Sequence, residues 1–355
     1  MIRSKTRLLT KPAVVRWYSV ENVDAVLPRK TLRKYLFEFK VPLSYKIAVQ
    51  IYHECRTNIQ WQVPSKVSSQ QLMTLKRILE THRRRAGVIS KDAITIENNL
   101  VEKAAEMGNN WAIALLCGTA IADKNGSPQD REYGNNLLRQ LMDRKFPLAF
   151  KIAGDLAYQM GHPEKAIRFY ELAVDNGLDD NALLVECLRN IGLISLMTDK
   201  NVIKAREYFE IATQTAQDLK QVSDCHFYLG QILDQNKIKA RYHLQRAASV
   251  GLRESFAPLG FLLMNYFNEV QLAHEWFDLG SSVDDFNCLV GLFDSCVRLG
   301  DSKGAFAALG RIRSNELGTK VLEGRKDSVE RVLDEIKGDD DMQDERVESK
   351  DRWTV

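Results

Sequence analysis

The residue types that most often do chemistry, cysteine and histidine, are dispersed through this 355-residue chain. The six cysteines form no C-x-x-C pair and most lie among apolar residues, so we expect reduced, buried thiols and neither a zinc site nor a disulfide framework. The tripeptide His162-Pro163-Glu164 has the spacing of a deaminase motif, but the P-C-x-x-C that would complete a zinc site does not follow it. We interpret it as a turn between two helices.

Signatures of the common catalytic sites do not occur in the sequence. It contains no G-x-x-x-x-G-K-[ST] loop for phosphate, no G-x-G-x-x-G turn for a dinucleotide, no H-E-x-x-H helix for a metal and no G-x-S-x-G elbow for a nucleophile. The paired acids Asp179-Asp180 and Asp284-Asp285 occur at predicted turns, where helix capping explains them. We therefore predict a protein that is not an enzyme and that requires no cofactor or metal.

The first 18 residues are basic and rich in hydroxyl groups, with five lysines or arginines and no acid before Glu21. This composition is typical of a mitochondrial transit peptide, predicted at 1-18. An arginine followed by an aromatic and a small residue favours cleavage at Tyr18 and Ser19. The alternative is an unstructured basic terminus of a cytosolic protein. Removal of the segment would change the formal charge from +3 to −2, so most of the basicity belongs to it.

A pattern of small and large residues recurs through the chain and indicates helical repeats. A small residue is followed four positions later by a large apolar residue, and three positions after that by a small or apolar one, which places all three on one helical face. These trios begin at Gly134, Ala166, Ala205, Ala240, Ala273 and Ala305, which are 32, 39, 35, 33 and 32 residues apart. Glycines on the preceding helices occur where a neighbouring helix must approach closely. The alternative is a helical domain without repeats.

These positions resemble tetratricopeptide and Sel1-like repeats, in which a leucine-glycine pair on the first helix faces an alanine, an aromatic residue and an alanine on the second. The best match runs from Ala153 to Ala173. The resemblance implies an all-α solenoid of helix-turn-helix repeats with an N-terminal helical cap. The predicted regions are the cap at 28-96, five to six repeats at 97-320, a C-terminal capping helix at 321-337 and an acidic disordered tail at 338-355.

A peptide-binding surface follows from the same resemblance, because the first helix of each tetratricopeptide repeat lines the concave face. The family's inward positions lie three before, one after and four after each glycine. Among the positions that this spacing selects, the candidate contacts are Lys151, Asp155, Tyr158, Arg189, Phe227, Gln231, Asp234 and Phe261. The aromatic members Tyr158, Phe227 and Phe261 are candidate anchors for a bound polypeptide. The alternative is that the two phenylalanines are core residues.

Two basic clusters are candidate contacts for an anionic membrane surface. The first comprises Arg29, Lys30, Arg33 and Lys34, and the second comprises Arg83, Arg84 and Arg85. Each lysine or arginine near a charged bilayer contributes about 1 kcal/mol to binding. The same clusters would also suit an RNA backbone, or they would simply be solvated. No apolar stretch approaches the roughly 20 residues that a spanning helix needs.

Several longer segments resemble the fungal mitochondrial factors required for export of the C-terminal tail of cytochrome c oxidase subunit 2. They include PLGFLLMNYFNEVQLAHEWFDLG from Pro258 and EGRKDSV from Glu323. The resemblance implies a matrix-side protein bound peripherally to the inner membrane. Its partners would be the subunit 2 tail, an Oxa-type insertase and the anionic lipid surface, and no nucleic acid. The alternatives are a mitochondrial RNA-associated translational activator and a generic Sel1-like adaptor.

Overall fold

The chain is all-α in a computed structural model that describes residues 27–57, 61–87 and 90–336, and no strand occurs in these ranges. It divides into two compact units, one up to Asp179 and one from Asp180. Each unit has its own buried apolar cluster. The predicted transit peptide, its cleavage point at Tyr18 and Ser19, and the acidic tail at 338–355 lie outside the described residues.

The first unit contains a group of N-terminal helices followed by two hairpins. Its described helices are α1 (Arg29–Glu38), α2 (Tyr45–Thr57), α3 (Ser69–Ala86), α4 (Lys91–Glu106), α5 (Asn110–Ala122), α6 (Pro128–Asp143), α7 (Pro147–Gln159) and α8 (Pro163–Asp175). Tyr52 on α2 is fully buried, and its hydroxyl donates to the carbonyl oxygen of Leu75 on α3 at 2.9 Å. The helices α5 and α6 form one hairpin, and α7 and α8 form the next.

The second unit continues the series of hairpins. Its described helices are α9 (Asn181–Met197), α10 (Val202–Thr215), α11 (Ser223–Ile232), α12 (Lys237–Ser249), α13 (Phe256–Asn265), α14 (Val270–Ser282), α15 (Phe286–Leu299), α16 (Ser302–Arg313) and α17 (Gly318–Glu323). Short 3-10 turns, Leu219–Val222 and Arg253–Ser255, precede α11 and α13. The two helices pack closely against each other in each of the four pairs from α9/α10 to α15/α16, which confirms the predicted helix-turn-helix organisation.

In four of the hairpins, a glycine on the first helix lies against a bulky side chain of the second helix. At Gly154 on α7, a Cβ atom would lie 2.6 Å from Cε1 of Tyr170 on α8, which is closer than real Cβ atoms approach. The same pairing recurs between Gly192 and Phe209, Gly230 and Leu244, and Gly260 and Phe277. The first hairpin differs, because Gly118 on α5 meets Ile152 of α7. Four glycines on first helices therefore lie where the repeat pattern predicts close contact with the second helix.

Side chains at the turns end and begin the helices as their residue types predict. Asp180 accepts hydrogen bonds from the backbone N–H groups of Ala182 and Leu183 at the start of α9. Asp285 accepts one from Cys288 at the start of α15. These contacts confirm the predicted capping role for the second acid of each pair, since a side-chain oxygen satisfies N–H groups that have no partner within the helix.

The C-terminal region contains two helical segments where the sequence suggested one. The helix α17 ends at Glu323, a turn covers 324–325, and residues 326–336 are helical again. Arg325 in the turn donates from Nε and Nη2 to the two carboxylate oxygens of Asp294 on α15, at 2.7 and 2.8 Å. This paired contact directs the turn toward α15 and explains the break.

Candidate functional site

Two of the three candidate peptide contacts in the first unit belong to a polar network within the α7/α8 hairpin. Nζ of Lys151 donates to Oδ2 of Asp155 at 2.7 Å, and the hydroxyl of Tyr170 donates to Oδ1 of the same carboxylate at 3.0 Å. Lys151 is only 8% exposed, whereas Tyr158 is 56% exposed. Lys151 and Asp155 therefore stabilise the hairpin, and Tyr158 presents its ring to solvent.

The other five candidate contacts lie in the second unit, where they divide into half-buried and exposed residues. Arg189 on α9 is half-buried, with Nε 3.6 Å from Oδ2 of Asp224 on α11. Phe227 and Phe261 are half-buried against the apolar cluster, and the Phe261 ring meets the ring of Phe277 edge-on at 4.9 Å. The two phenylalanines thus contribute to the core as well as to the surface.

The polar members of this set, Gln231 and Asp234, are exposed at the end of α11. Asp234 forms an ion pair with Lys237 at the start of α12. The exposed part of the predicted surface in this unit is therefore polar, and its binding role remains a prediction.

Arginines at the end of α3 make contacts inside the first unit. Arg83 donates from Nε and Nη2 to the carboxylate of Glu97 on α4, both at 3.2 Å, and this hydrogen bonding raises the pKa of Arg83. Arg84 pairs with Glu80 at 2.6 Å. Arg85 lies over the Tyr35 ring of α1, 5.6 Å from its centroid. The second basic cluster is thus partly neutralised by acids and rings of the fold.

The first basic cluster, on α1, is more exposed. Arg29 and Arg33 lie over the Tyr45 ring, 5.3 and 5.2 Å from its centroid, which leaves their guanidinium groups charged and at the surface. Lys30 is also exposed. On the same helix Phe37 is 85% exposed, the highest value among the large apolar side chains of the described residues. The exposed Phe37 ring on the same helix as these cations was not predicted from the sequence.

All six cysteines are buried, as their apolar neighbours predicted. Burial raises the pKa of the Cys55 thiol to about 12 and that of Cys117 to about 11. Because the thiolate is the reactive form of cysteine, these side chains act as small apolar groups at neutral pH. Among the residues that the structure describes, no three His, Cys, Asp or Glu side chains are grouped closely enough to hold a metal ion.

Two solved structures are similar to this chain at low TM-scores. One is the crystal structure of c5321, a protective antigen present in uropathogenic Escherichia coli strains displaying an SLR fold, with a TM-score of 0.44, 16% identity, and coverage of 80% of this chain and 68% of that chain. The other is the crystal structure of the yeast Tom70, with a TM-score of 0.37, 13% identity, and coverage of 97% and 71%.

Sequence comparison finds two family models that match parts of the chain and one relative that aligns with nearly all of it. Residues 19–109 match the MSS2 N-terminal domain, and residues 149–178, 190–214 and 221–252 match the Sel1 repeat. Protein MSS2, mitochondrial, from Saccharomyces cerevisiae is 29% identical over 360 residues, covering 95% of this chain and 100% of that protein. The chain is therefore similar along its length to the yeast Protein MSS2 and carries an MSS2 N-terminal domain followed by Sel1 repeats.

Proposed function

We propose that this protein is a mitochondrial assembly factor on the matrix side of the inner membrane, which binds a polypeptide segment and promotes export of the C-terminal tail of cytochrome c oxidase subunit 2. The observation that carries the proposal is the similarity to the yeast mitochondrial Protein MSS2 over nearly the whole of both chains. The export of the subunit 2 tail is proposed because segments such as EGRKDSV from Glu323 resemble those of the export factors.

The repeats support a role in binding and not in catalysis. Stacked helix-turn-helix repeats expose extended surfaces that suit a polypeptide. Partly exposed candidate side chains lie on first helices of successive hairpins in the second unit, for example Phe227 on α11 and Phe261 on α13. Tyr158 is an exposed candidate side chain in the first unit. None of the helices in the described residues is long and apolar enough to cross a bilayer. The proposed partner that inserts the exported tail is an Oxa-type insertase.

Attachment to the membrane is assigned to α1 within this proposal. Its exposed cations, among them Lys30 and Arg33, complement anionic phospholipid, and the Phe37 ring suits the interface between headgroups and acyl chains. The α3 cluster is a weaker candidate because Glu97 and Glu80 pair with Arg83 and Arg84. A peripheral contact of this kind is weakened by high salt.

Crosslinking in isolated mitochondria tests the proposed function. Newly made mitochondrial proteins are labelled during translation, a crosslinker is added, and this chain is recovered by immunoprecipitation. We expect labelled subunit 2 to be recovered with it, and a subunit 2 truncated before its C-terminal tail to be recovered much less. Recovery of mitochondrial messenger RNA without subunit 2 would favour a translational activator and contradict the proposal.

A further inference from the structure

A cleft of about 640 Å³ opens in the first unit, between α5, α6 and the turn after α7. One wall is the exposed face of α6, where Arg131, Asn135 and Arg139 follow one another at intervals of four residues. The apolar part of the lining consists of Ile121, Pro128 and Met160. The volume lies within the range of sites that hold a small ligand or a few residues of a peptide.

Polar atoms in this cleft have hydrogen-bonding capacity that the surrounding fold does not use. Nε of Arg131 is buried and meets no acceptor among the described residues, although Nη2 of the same side chain donates to the carbonyl oxygen of Gly126 at 3.3 Å. Asn135 donates from Nδ2 to the carbonyl oxygen of Arg131 at 2.9 Å, so its amide oxygen remains as an acceptor. The Arg131 Nε is enclosed by the fold, whereas Asn135 is exposed, so a ligand N–H can reach the free amide oxygen of Asn135.

The charges and side-chain types in the cleft define the ligand chemistry. Arg131 and Arg139 outnumber the single carboxylate of Glu132, so the lining is positive. A guanidinium group binds a carboxylate through two parallel hydrogen bonds. Asparagine side chains match both the N–H and the carbonyl groups of a peptide backbone. A flexible methionine, here Met160, adapts to an aliphatic side chain.

We propose that this cleft binds an extended, acidic segment of a polypeptide. The inference rests on the proposed function and deepens it, because it names the chemistry of the bound segment and a site away from the candidate helix positions such as Tyr158. Single-stranded RNA fits less well. Its bases require aromatic platforms, and none of the described residues that line the cleft is aromatic.

Fluorescence anisotropy with the purified full chain tests the inference. The probes are a short labelled peptide of alternating aspartate and leucine, the same peptide with lysine in place of aspartate, and a labelled oligouridylate. We expect the acidic peptide to bind and the other two probes to bind much more weakly. We also expect Arg139→Glu to raise the Kd for the acidic peptide by about tenfold or more, through loss of a charge-assisted contact.

Two further variants separate the cleft from general surface charge. Arg168→Glu changes an exposed arginine of α8 outside the cleft, and we expect a Kd within about twofold of the parent value, since exposed charges act weakly. Asn136→Leu leaves the net charge unchanged, removes an amide from the lining, and should weaken binding. Circular dichroism verifies that each variant is folded.

The inference is overturned if the parent chain binds the lysine peptide or the oligouridylate as tightly as the acidic peptide, or if Arg168→Glu weakens binding as much as Arg139→Glu. Failure of the proposed function looks different. In that case the chain binds acidic peptide through the cleft, yet mitochondria that lack the chain still export the subunit 2 tail at the normal rate.

Discussion

Gly230 on α11 occupies a position with no room for a side chain. A Cβ atom there would lie 2.7 Å from Cγ of Leu244 on α12. We expect Gly230→Leu to destabilise the second unit by about 1–3 kcal/mol, because the two helices must separate or Leu244 must leave its position. The matched control is Gly310→Leu on α16, where a Cβ would meet nothing within 4 Å. Thermal unfolding measures both, and equal melting temperatures would contradict the assigned register.

Two histidines on the same hairpin make the stability of the second unit depend on pH. Nδ1 of His226 on α11 and Nδ1 of His243 on α12 are 2.9 Å apart, so one donates and the other accepts. Burial, followed by the positive charges of His243 and Arg246, lowers the pKa of His226 to about 4. Burial also lowers the pKa of His243, which Lys239 reinforces and Glu210 opposes.

The sign of the pH effect follows from these lowered values. The unfolded chain protonates histidine at its ordinary pKa of 6.5, whereas folded His226 accepts a proton only near 4. Stability is therefore fully present above pH 6.5 and is lost as the pH falls toward 4. We expect a smaller fall in melting temperature on acidification for His226→Asn, which retains a hydrogen-bonding group but cannot be protonated. His162→Asn, at an exposed turn, is the control and should behave like the parent chain.

At the residue scale, the sequence predicted which glycines lie against a neighbouring helix. It did not predict which polar side chains would form hydrogen bonds or ion pairs with each other. The spacing of glycines and bulky residues predicted the contact of Gly154 with the α8 helix because repeat geometry determines it. Lys151 and Asp155 were assigned to a binding surface from the same spacing. Lys151 and Asp155 form an ion pair, and Asp155 also accepts a hydrogen bond from the hydroxyl of Tyr170 within the hairpin; these contacts depend on rotamers that no spacing rule specifies. The binding role of the two residues remains a prediction.

The helix α1 combines a buried and an exposed face in a way that suits a bilayer surface. Leu32 and Leu36 are buried, whereas Lys30, Lys34 and Phe37 fall on the opposite face. We expect the chain to sediment with vesicles that contain anionic phospholipid and to be released by high salt. Burial of a phenylalanine side chain contributes about 1.5–3 kcal/mol, so Phe37→Ser should weaken vesicle binding about tenfold or more.

The control for this experiment is Phe306→Ser on α16, which removes an aromatic ring that is 45% exposed in the other unit. It should leave vesicle binding unchanged. If Phe37→Ser and the parent chain bind anionic vesicles equally, or if neutral vesicles bind as well as anionic ones, α1 is not the membrane contact.

At the scale of elements, helix positions followed from periodicity and turn residues. The region predicted as a helical cap at 28-96 contains the helices α1, α2 and α3 and the start of α4. The break at 324–325 was not foreseen, because it depends on the contact of Arg325 with Asp294 on another helix. The cleft along α6 was also missed, since its lining joins residues such as Ile121 and Met160 that are far apart in sequence.

At the scale of the whole molecule, the two kinds of family match coincide with two proposed roles. The region that matches the MSS2 N-terminal domain includes α1 and its exposed Phe37, to which we assign membrane contact. The Sel1 matches begin at residue 149 and cover hairpins in both units, where candidate helix contacts such as Tyr158 lie; the α6 wall of the proposed cleft lies between the two matched regions. Variants in α1 should therefore alter attachment to the membrane without abolishing recognition of the polypeptide.

Export of the subunit 2 tail in yeast tests the central claim most directly. The chain is expressed in Saccharomyces cerevisiae cells that lack Protein MSS2, and import into mitochondria is verified by immunoblotting. Protease is then added to mitoplasts, in which the outer face of the inner membrane is accessible. We predict that the C-terminal tail of subunit 2 is cleaved when the chain is present and protected when it is absent. A tail that stays protected although the chain is imported and folded, or that is cleaved equally without it, would contradict the account.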